Sequence, residues 1–165
     1  MAFRMLLMGL PGSGKTTLAQ HLLEEFAARQ IRVEWLNADA VREAYDDWDF
    51  TIEGRLRQSE RMKHLADASE DTLVIADFVA PLRQMREQFD PHCLVWLNTI
   101  SEGRFEDTNT LFEPPSPEEQ LALGPYFITV PYTPSSGIYT YSMISSSDIG
   151  RFYPFYFTWR TIRLN

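Results

Sequence analysis

The sequence predicts an α/β fold, a parallel sheet with helices packed on it, and three of its features say so. Residues 3–8, broken only by Arg4, and residues 73–76 and 93–97 are short apolar runs, the pattern of strands buried on both faces. Segments with apolar residues at i, i+4 spacing lie between them, as the crossover helices of parallel strands require. A glycine-rich stretch joins the first run to the first of these segments.

That stretch reads Gly9-Leu10-Pro11-Gly12-Ser13-Gly14-Lys15-Thr16-Thr17 and fits the G-x-x-x-x-G-K-[ST] phosphate loop. Its glycines let successive backbone N–H groups turn inward on an anion, and the helix N-terminus adds partial positive charge. Lys15 is placed to reach the β- and γ-phosphates, and the Thr16 hydroxyl suits Mg²⁺. A chance match is the competing reading, and the flanks oppose it. A strand precedes, and Leu18, Leu22 and Phe26 with Ala19, Leu23 and Ala27 form two i, i+4 rows behind. The expectation is ATP with Mg²⁺ on a three-layer P-loop NTPase or kinase fold.

At 165 residues the chain suits one domain with a substantial core. Its net charge of −8 argues against a nucleic-acid backbone or an anionic membrane surface as main partner. An anionic substrate would then need local arginines. Cys93 is the single cysteine, so it suits strand packing in a reducing compartment. With no run of about eighteen apolar residues and no cleavage-site pattern before the phosphate loop, a cytoplasmic location is the default expectation.

In chain order, a helix is expected over about 15–29 and an alternating strand over 32–37, ending in Ala38-Asp39. Ligands of open α/β sheets sit beyond the carboxyl ends of strands, which places Asp39 and Arg42 beside the phosphate loop. Asp39 also suits a helix N-cap. Residues 46–50 are acidic and aromatic without a period, so they read as a rim loop. A helix follows over 52–69, with Leu56, Met62, Leu65 and Ala66 on one side. Arg57, Arg61 and Lys63 read as a solvated face partnered by Glu53 and Glu60. The third strand ends at Asp77, a position that puts a carboxylate near Mg²⁺ in phosphate-loop enzymes, although Asp39 competes for that assignment. Pro81 is placed to open a helix through residue 88 that carries Arg83 and Arg86. The polar segment 101–109 follows the fourth strand and would close over the nucleotide, with Arg104 as a charge-stabilising candidate.

Four blocks resemble the adenylylsulfate kinase (APS kinase) family, in a variant form, over roughly residues 1–115: the phosphate loop, Leu36-Asn37-Ala38-Asp39-Ala40-Val41-Arg42, residues 50–61, and Ala76-Asp77-Phe78-Val79-Ala80-Pro81-Leu82-Arg83. The resemblance implies transfer of the γ-phosphate of ATP to the ribose 3′-hydroxyl of adenylyl sulfate, giving 3′-phosphoadenylyl sulfate. It implies that Asp39 lies near the accepting hydroxyl, that Arg42 binds the phosphosulfate, and that Phe50 and Arg55 contact the substrate by stacking and by charge. Gln58 stands where the family usually has Asn, and Phe78 and Pro81 match the loop that covers the substrate. Ala80 replaces a serine and has no hydroxyl to phosphorylate. Independently of the family, an aromatic suits an adenine face and arginines suit a sulfated phosphate.

The expected organisation is a kinase domain over 1–124 and an atypical tail over 125–165, with a fifth strand available at 127–130. The tail holds eleven aromatics and no lysine. An interaction surface, a diverged tail and a shifted reading frame all fit it; the abrupt change of composition favours the last, and with it a poorly packed ending. Two other functions stay open. One is a kinase for another acceptor, a nucleoside, a sugar acid or a polynucleotide end, the last disfavoured by charge; the other is a nucleotide-binding module without catalysis. Whether the chain is a homodimer also stays open.

Overall fold

The apolar runs become strands and pair in parallel. The computed structural model describes residues 2–131 and the backbone of residues 138–141 and 160–163. In it β1 (Phe3–Met8), β2 (Val33–Asn37), β3 (Leu73–Asp77), β4 (Cys93–Asn98) and β5 (Phe127–Pro131) form one sheet in the order β2-β3-β1-β4-β5. Every pairing in it is parallel. The register sets Leu7, Asp77 and Asn37 in one row across β1, β3 and β2. The loops leaving these strands therefore converge at one edge, where open sheets bind ligands.

Strand alternation sorts the core into two layers. β1 sends Met5 and Leu7 to one face, where α1 (Lys15–Ala28) supplies Leu18, Ala19, Leu22 and Phe26. Its Leu6 and Met8 face the other way. There they meet Val41 of α2 (Ala38–Tyr45), Met62 and Ala66 of α3 (Ile52–Ala68) and Phe89 of α4 (Arg83–Phe89). Fully buried side chains such as Leu22 and Phe26 each contribute on the order of 2 kcal/mol. Cys93 belongs to the first layer, where burial pushes its thiol up to about 12 and leaves it a packing residue.

The buried face of α3 is more polar than its apolar spacing implies. Gly54, Arg55, Gln58 and Ser59 are buried with Met62 and Ala66, while Leu56 and Leu65 are only half-buried. The cause is what this half of α3 packs on: loop 46–50 and the starts of α2 and α4, all of which present carbonyls. Gln58 Nε2 donates to the Ala38 carbonyl (3.1 Å) and Ser59 Oγ to that of Met85 (2.9 Å). Gly54 has no room for a Cβ, because Asp49 lies against it.

Two local expectations change. Arg57 and Arg61 pair with loop 46–50 instead of with Glu53 and Glu60. Arg57 Nε donates to Asp47 (2.8 Å), Arg57 Nη2 to Asp49 (3.1 Å) and Arg61 Nη2 to Asp47 (2.9 Å), while Lys63 pairs with Asp67. These hydrogen bonds hold the Asp47 carboxyl well below the usual carboxylate range. The fourth helix begins at Arg83, and Pro81 lies outside it. Ala80 takes a left-handed φ of 47° and Leu82 is extended, so the backbone is not helical until Arg83.

The segment after β4 forms α5 (Glu106–Leu111) and α6 (Pro117–Leu123), the second opened by a Ser116–Glu119 capping box. Arg86 fastens this segment to the rest. Its side chain is 2% exposed, forks onto Glu119 (2.8 and 2.9 Å), and donates through Nη1 to the carbonyls of Ala80 and Glu113 (both 3.0 Å). β6 (Ile138–Tyr141) pairs antiparallel with β7 (Arg160–Arg163) in a separate two-stranded sheet. Residues 132–137, 142–159 and 164–165 lie outside the described residues, and with them the expectations about how the tail packs and how it arose.

Removing one partner of a buried, hydrogen-bonded ion pair strands the other, so Arg86→Met should destabilise the chain by about 3–5 kcal/mol in urea unfolding at pH 7. Burial pushes the Glu119 carboxyl up, but Arg86 and the Ser116 N–H more than reverse this and leave it below its ordinary value. A depressed folded value gives stability that is present above the unfolded value and lost as pH falls through the folded one. The penalty of Glu119→Gln should therefore be full at pH 7 and shrink below about pH 4.

Candidate active site

The phosphate loop owes its shape to three glycines. Gly12 and Gly14 have φ of 88° and 101°, which side chains disfavour. At Gly9 a Cβ would stand 2.6 Å from Ser13 Oγ and 2.8 Å from the Leu97 carbonyl. Thr99 Oγ1 donates to the Ser13 carbonyl (2.7 Å), tying the loop to the end of β4. No side chain caps α1, so its first N–H groups remain open to an anion. The loop runs through Leu10 and Pro11 into this helix start, with Thr17 in the first turn of α1. Lys15 folds back to donate to the carbonyls of Gly9 (3.0 Å) and Leu10 (3.1 Å). Burial lowers its pKa, and Asp77 and Asp39 partly restore it.

Opposite Lys15, one carboxylate oxygen gathers two donors. Thr16 Oγ1 and Asn37 Nδ2 each donate to Asp77 Oδ2 at 3.0 Å. Burial raises the Asp77 pKa, while Lys15 and the two hydrogen bonds oppose that rise. The N-cap of α2 is Asn37, whose side chain accepts from the Ala40 N–H (3.1 Å), so Asp39 is not the cap. Asp39 is exposed in the first turn of α2.

A cleft of about 520 Å³ joins these groups to the second half of the site: Lys15, Thr16 and Asp77 share its wall with Asp39, Phe50, Arg55, Phe78 and Arg104. The Phe50 ring is half exposed, and its centroid lies 4.5 Å from the Arg42 guanidinium carbon and 5.5 Å from that of Arg55. Arg42, Gln58 and Pro81 do not line this cleft. Arg42 is 4% exposed and donates to the carbonyls of Asp47 (2.9 Å) and Asp49 (3.0 Å), so its guanidinium holds loop 46–50. Gln58 also accepts from Arg61 (2.7 Å), and the Pro81 carbonyl accepts from the Glu113 N–H (2.7 Å).

Sequence reasoning passed over Asn37, Trp48, Phe105, Asp107 and Thr108, all of which line the cleft. Trp48 and Phe105 are half exposed and aromatic, a signal that could have marked them. Asp107 and Thr108 meet Arg55 across more than fifty residues of sequence, a contact no local pattern reports.

This combination of a parallel sheet, a phosphate loop and a strand-end aspartate bonded to the loop threonine defines the class of P-loop kinase folds. The Mycobacterium tuberculosis APS kinase CysC, in its structure with AMPPNP and APS, superimposes with a TM-score of 0.55 at 21% identity, over 82% of this chain and 84% of that one. A shikimate kinase from Acinetobacter baumannii gives 0.52 at 19% identity, over 82% and 86%. The adenylylsulphate kinase family model matches residues 1–94, and the chain belongs to that family. A probable adenylyl-sulfate kinase of Aeropyrum pernix is 41% identical over 83 residues, which is 48% of this chain and 45% of the relative. A probable adenylyl-sulfate kinase of Pseudomonas aeruginosa is 35% identical over 82 residues, 48% of this chain and 38% of the relative. The chain thus spans less than half the length of these two relatives.

Arg42→Met keeps the apolar stem and removes charge-assisted bonds to two carbonyls. It should lower unfolding stability by about 1.5–3 kcal/mol. It should also shift the emission of Trp48, which sits in the loop that Arg42 holds.

Proposed function

We infer that this chain is a Mg²⁺- and ATP-dependent kinase that transfers the γ-phosphate to a hydroxyl of a small anionic nucleotide, with the 3′-hydroxyl of adenylyl sulfate as the leading acceptor. The observation that carries the reading is a single cleft in which Lys15, Thr16 and Asp77 face Asp39, Phe50 and Arg55. Lys15 exchanges the carbonyls of Gly9 and Leu10 for phosphate oxygens, and the uncapped N–H groups at the start of α1 cradle the rest. The Thr16 hydroxyl and the Asp77 carboxylate are hard oxygen donors bonded to each other, a set that fits Mg²⁺ shared with substrate phosphates. Bound there, Mg²⁺ supplies neutralisation of charge on the transferring group.

On the acceptor side, Asp39 orients the attacking hydroxyl and takes its proton, Phe50 and Phe78 offer apolar faces to a base, and Arg55 faces the anionic group. Arg104 adds positive charge above the phosphates. Arg42 acts on the acceptor through loop 46–50, which it fixes. Catalysis in this reading is positioning and charge neutralisation, as phosphoryl transfer generally demands. Family membership and the match to adenylyl-sulfate kinases over half the chain support adenylyl sulfate above other hydroxyl acceptors.

An assay with ATP, Mg²⁺ and an acceptor panel tests this: 3′-phosphoadenylyl sulfate should form. Lys15→Ala should lower kcat/KM by about 10²- to 10³-fold, and Asp39→Asn should lower kcat by about 10²- to 10⁴-fold. Full turnover in Asp39→Asn would overturn its role. ATP binding without transfer to any acceptor would select the non-catalytic alternative.

A further inference from the structure

The cleft carries three cations, Lys15, Arg55 and Arg104, and three carboxylates, Asp39, Asp77 and Asp107. Asp77 belongs to the Thr16 cluster and Asp39 stands at the start of α2. Asp107 differs from both, because it is bonded to the acceptor-side arginine itself. Arg55 Nη2 donates to Asp107 Oδ2 and to Thr108 Oγ1, both at 3.0 Å, and Arg55 Nε donates to the Phe50 carbonyl at 2.8 Å. None of these bonds uses Nη1. The Arg55 side chain is 9% exposed, whereas that of Asp107 is 68% exposed.

These partners are not equivalent. The Phe50 carbonyl and the buried Thr108 hydroxyl suffice to hold the guanidinium in place. Asp107 adds a solvated ion pair of small net worth, and its charge faces any anion that approaches Arg55. The same short segment also reaches the phosphate loop: Gly103 lies against the Pro11 carbonyl, and Asn109 clasps the Gly103 backbone in both directions (2.8 and 2.9 Å).

We propose that Asp107 is a specificity-determining residue that stands in for the acceptor's anionic group: a sulfate or phosphate substituent displaces its carboxylate from Arg55 Nη2, and its charge sets the affinity for anionic acceptors. This rests on the reading of the cleft as an acceptor site. Displacement costs little because Thr108 and Phe50 keep Arg55 in position, and it frees Asp107 only when the incoming group is charged. A neutral nucleoside gains nothing from the exchange and leaves the ion pair intact.

The test is fluorescence titration of the whole chain, its nucleotide site filled with AMPPNP and Mg²⁺, with adenosine, adenosine 5′-phosphate and adenylyl sulfate. Asp107→Asn preserves shape and removes charge. It should tighten adenosine 5′-phosphate and adenylyl sulfate by about three- to tenfold and leave adenosine unchanged. Thr108→Val, which removes a neutral partner of Arg55 and leaves the Asp107 charge in place, should not tighten the charged ligands. An equal effect of Asp107→Asn on the neutral and charged ligands, or weaker binding of the charged ones, overturns the proposal. Binding of none of the three to either protein overturns it together with the acceptor reading. If adenosine 5′-phosphate shows the charge-dependent gain and adenylyl sulfate does not bind, the acceptor assignment falls and the role of Asp107 stands.

Discussion

One oxygen of Asp77 joins the three parts on which the cleft depends. It accepts from Thr16, at the start of α1, and from Asn37, at the end of β2, while its own backbone closes β3. Because the strands are parallel and in register, Asn37 and Asp77 reach the same row without any bend in the chain. Asn37 then also caps α2, so the side chain that meets Asp77 sets the direction in which Asp39 leaves the sheet. A buried carboxylate between a lysine and two donors is an arrangement that water would dissolve and the core preserves.

Loop 46–50 shows how an acidic protein keeps an aromatic rim in place. Arg42 holds its carbonyls from below, Arg57 and Arg61 hold its carboxylates from α3, and Gly54 lets it approach the helix closely. Each of these anchors is a guanidinium or an absent side chain, and the rings of Trp48 and Phe50 stay half exposed. Planar guanidinium forks suit carbonyls and carboxylates in a way that lysines would not. Three of the arginines of this region are thereby spent on shape, and Arg55 is the one that reaches the cleft.

The fold was legible because its signals are local. Apolar runs of four or five residues, a glycine motif and two i, i+4 rows give β1, α1, β3 and β4 without reference to one another. The family of the chain was legible through four short blocks, the phosphate loop and residues 36–42, 50–61 and 76–83, each readable without its neighbours in space. What stayed hidden is long-range. The buried polar row Arg55, Gln58 and Ser59 lies outside the apolar spacing of α3, and its burial follows only from the distant partners Ala38, Met85 and Thr108. Arg42 and Arg57 carry the charge of ligand-binding residues, and only their distances to loop 46–50 reveal where that charge is used. The start of α4 shifted because Ala80 adopts a left-handed turn that no residue type there announces.

The lone thiol has a practical consequence. Cys93 is sealed in the layer between the sheet and α1, and a buried thiol held in its neutral form does not react as a nucleophile. A cysteine introduced on an exposed position of α5 would be the one labelling handle on the native chain. A single probe there could then report on the surroundings of that segment without first removing anything from the core.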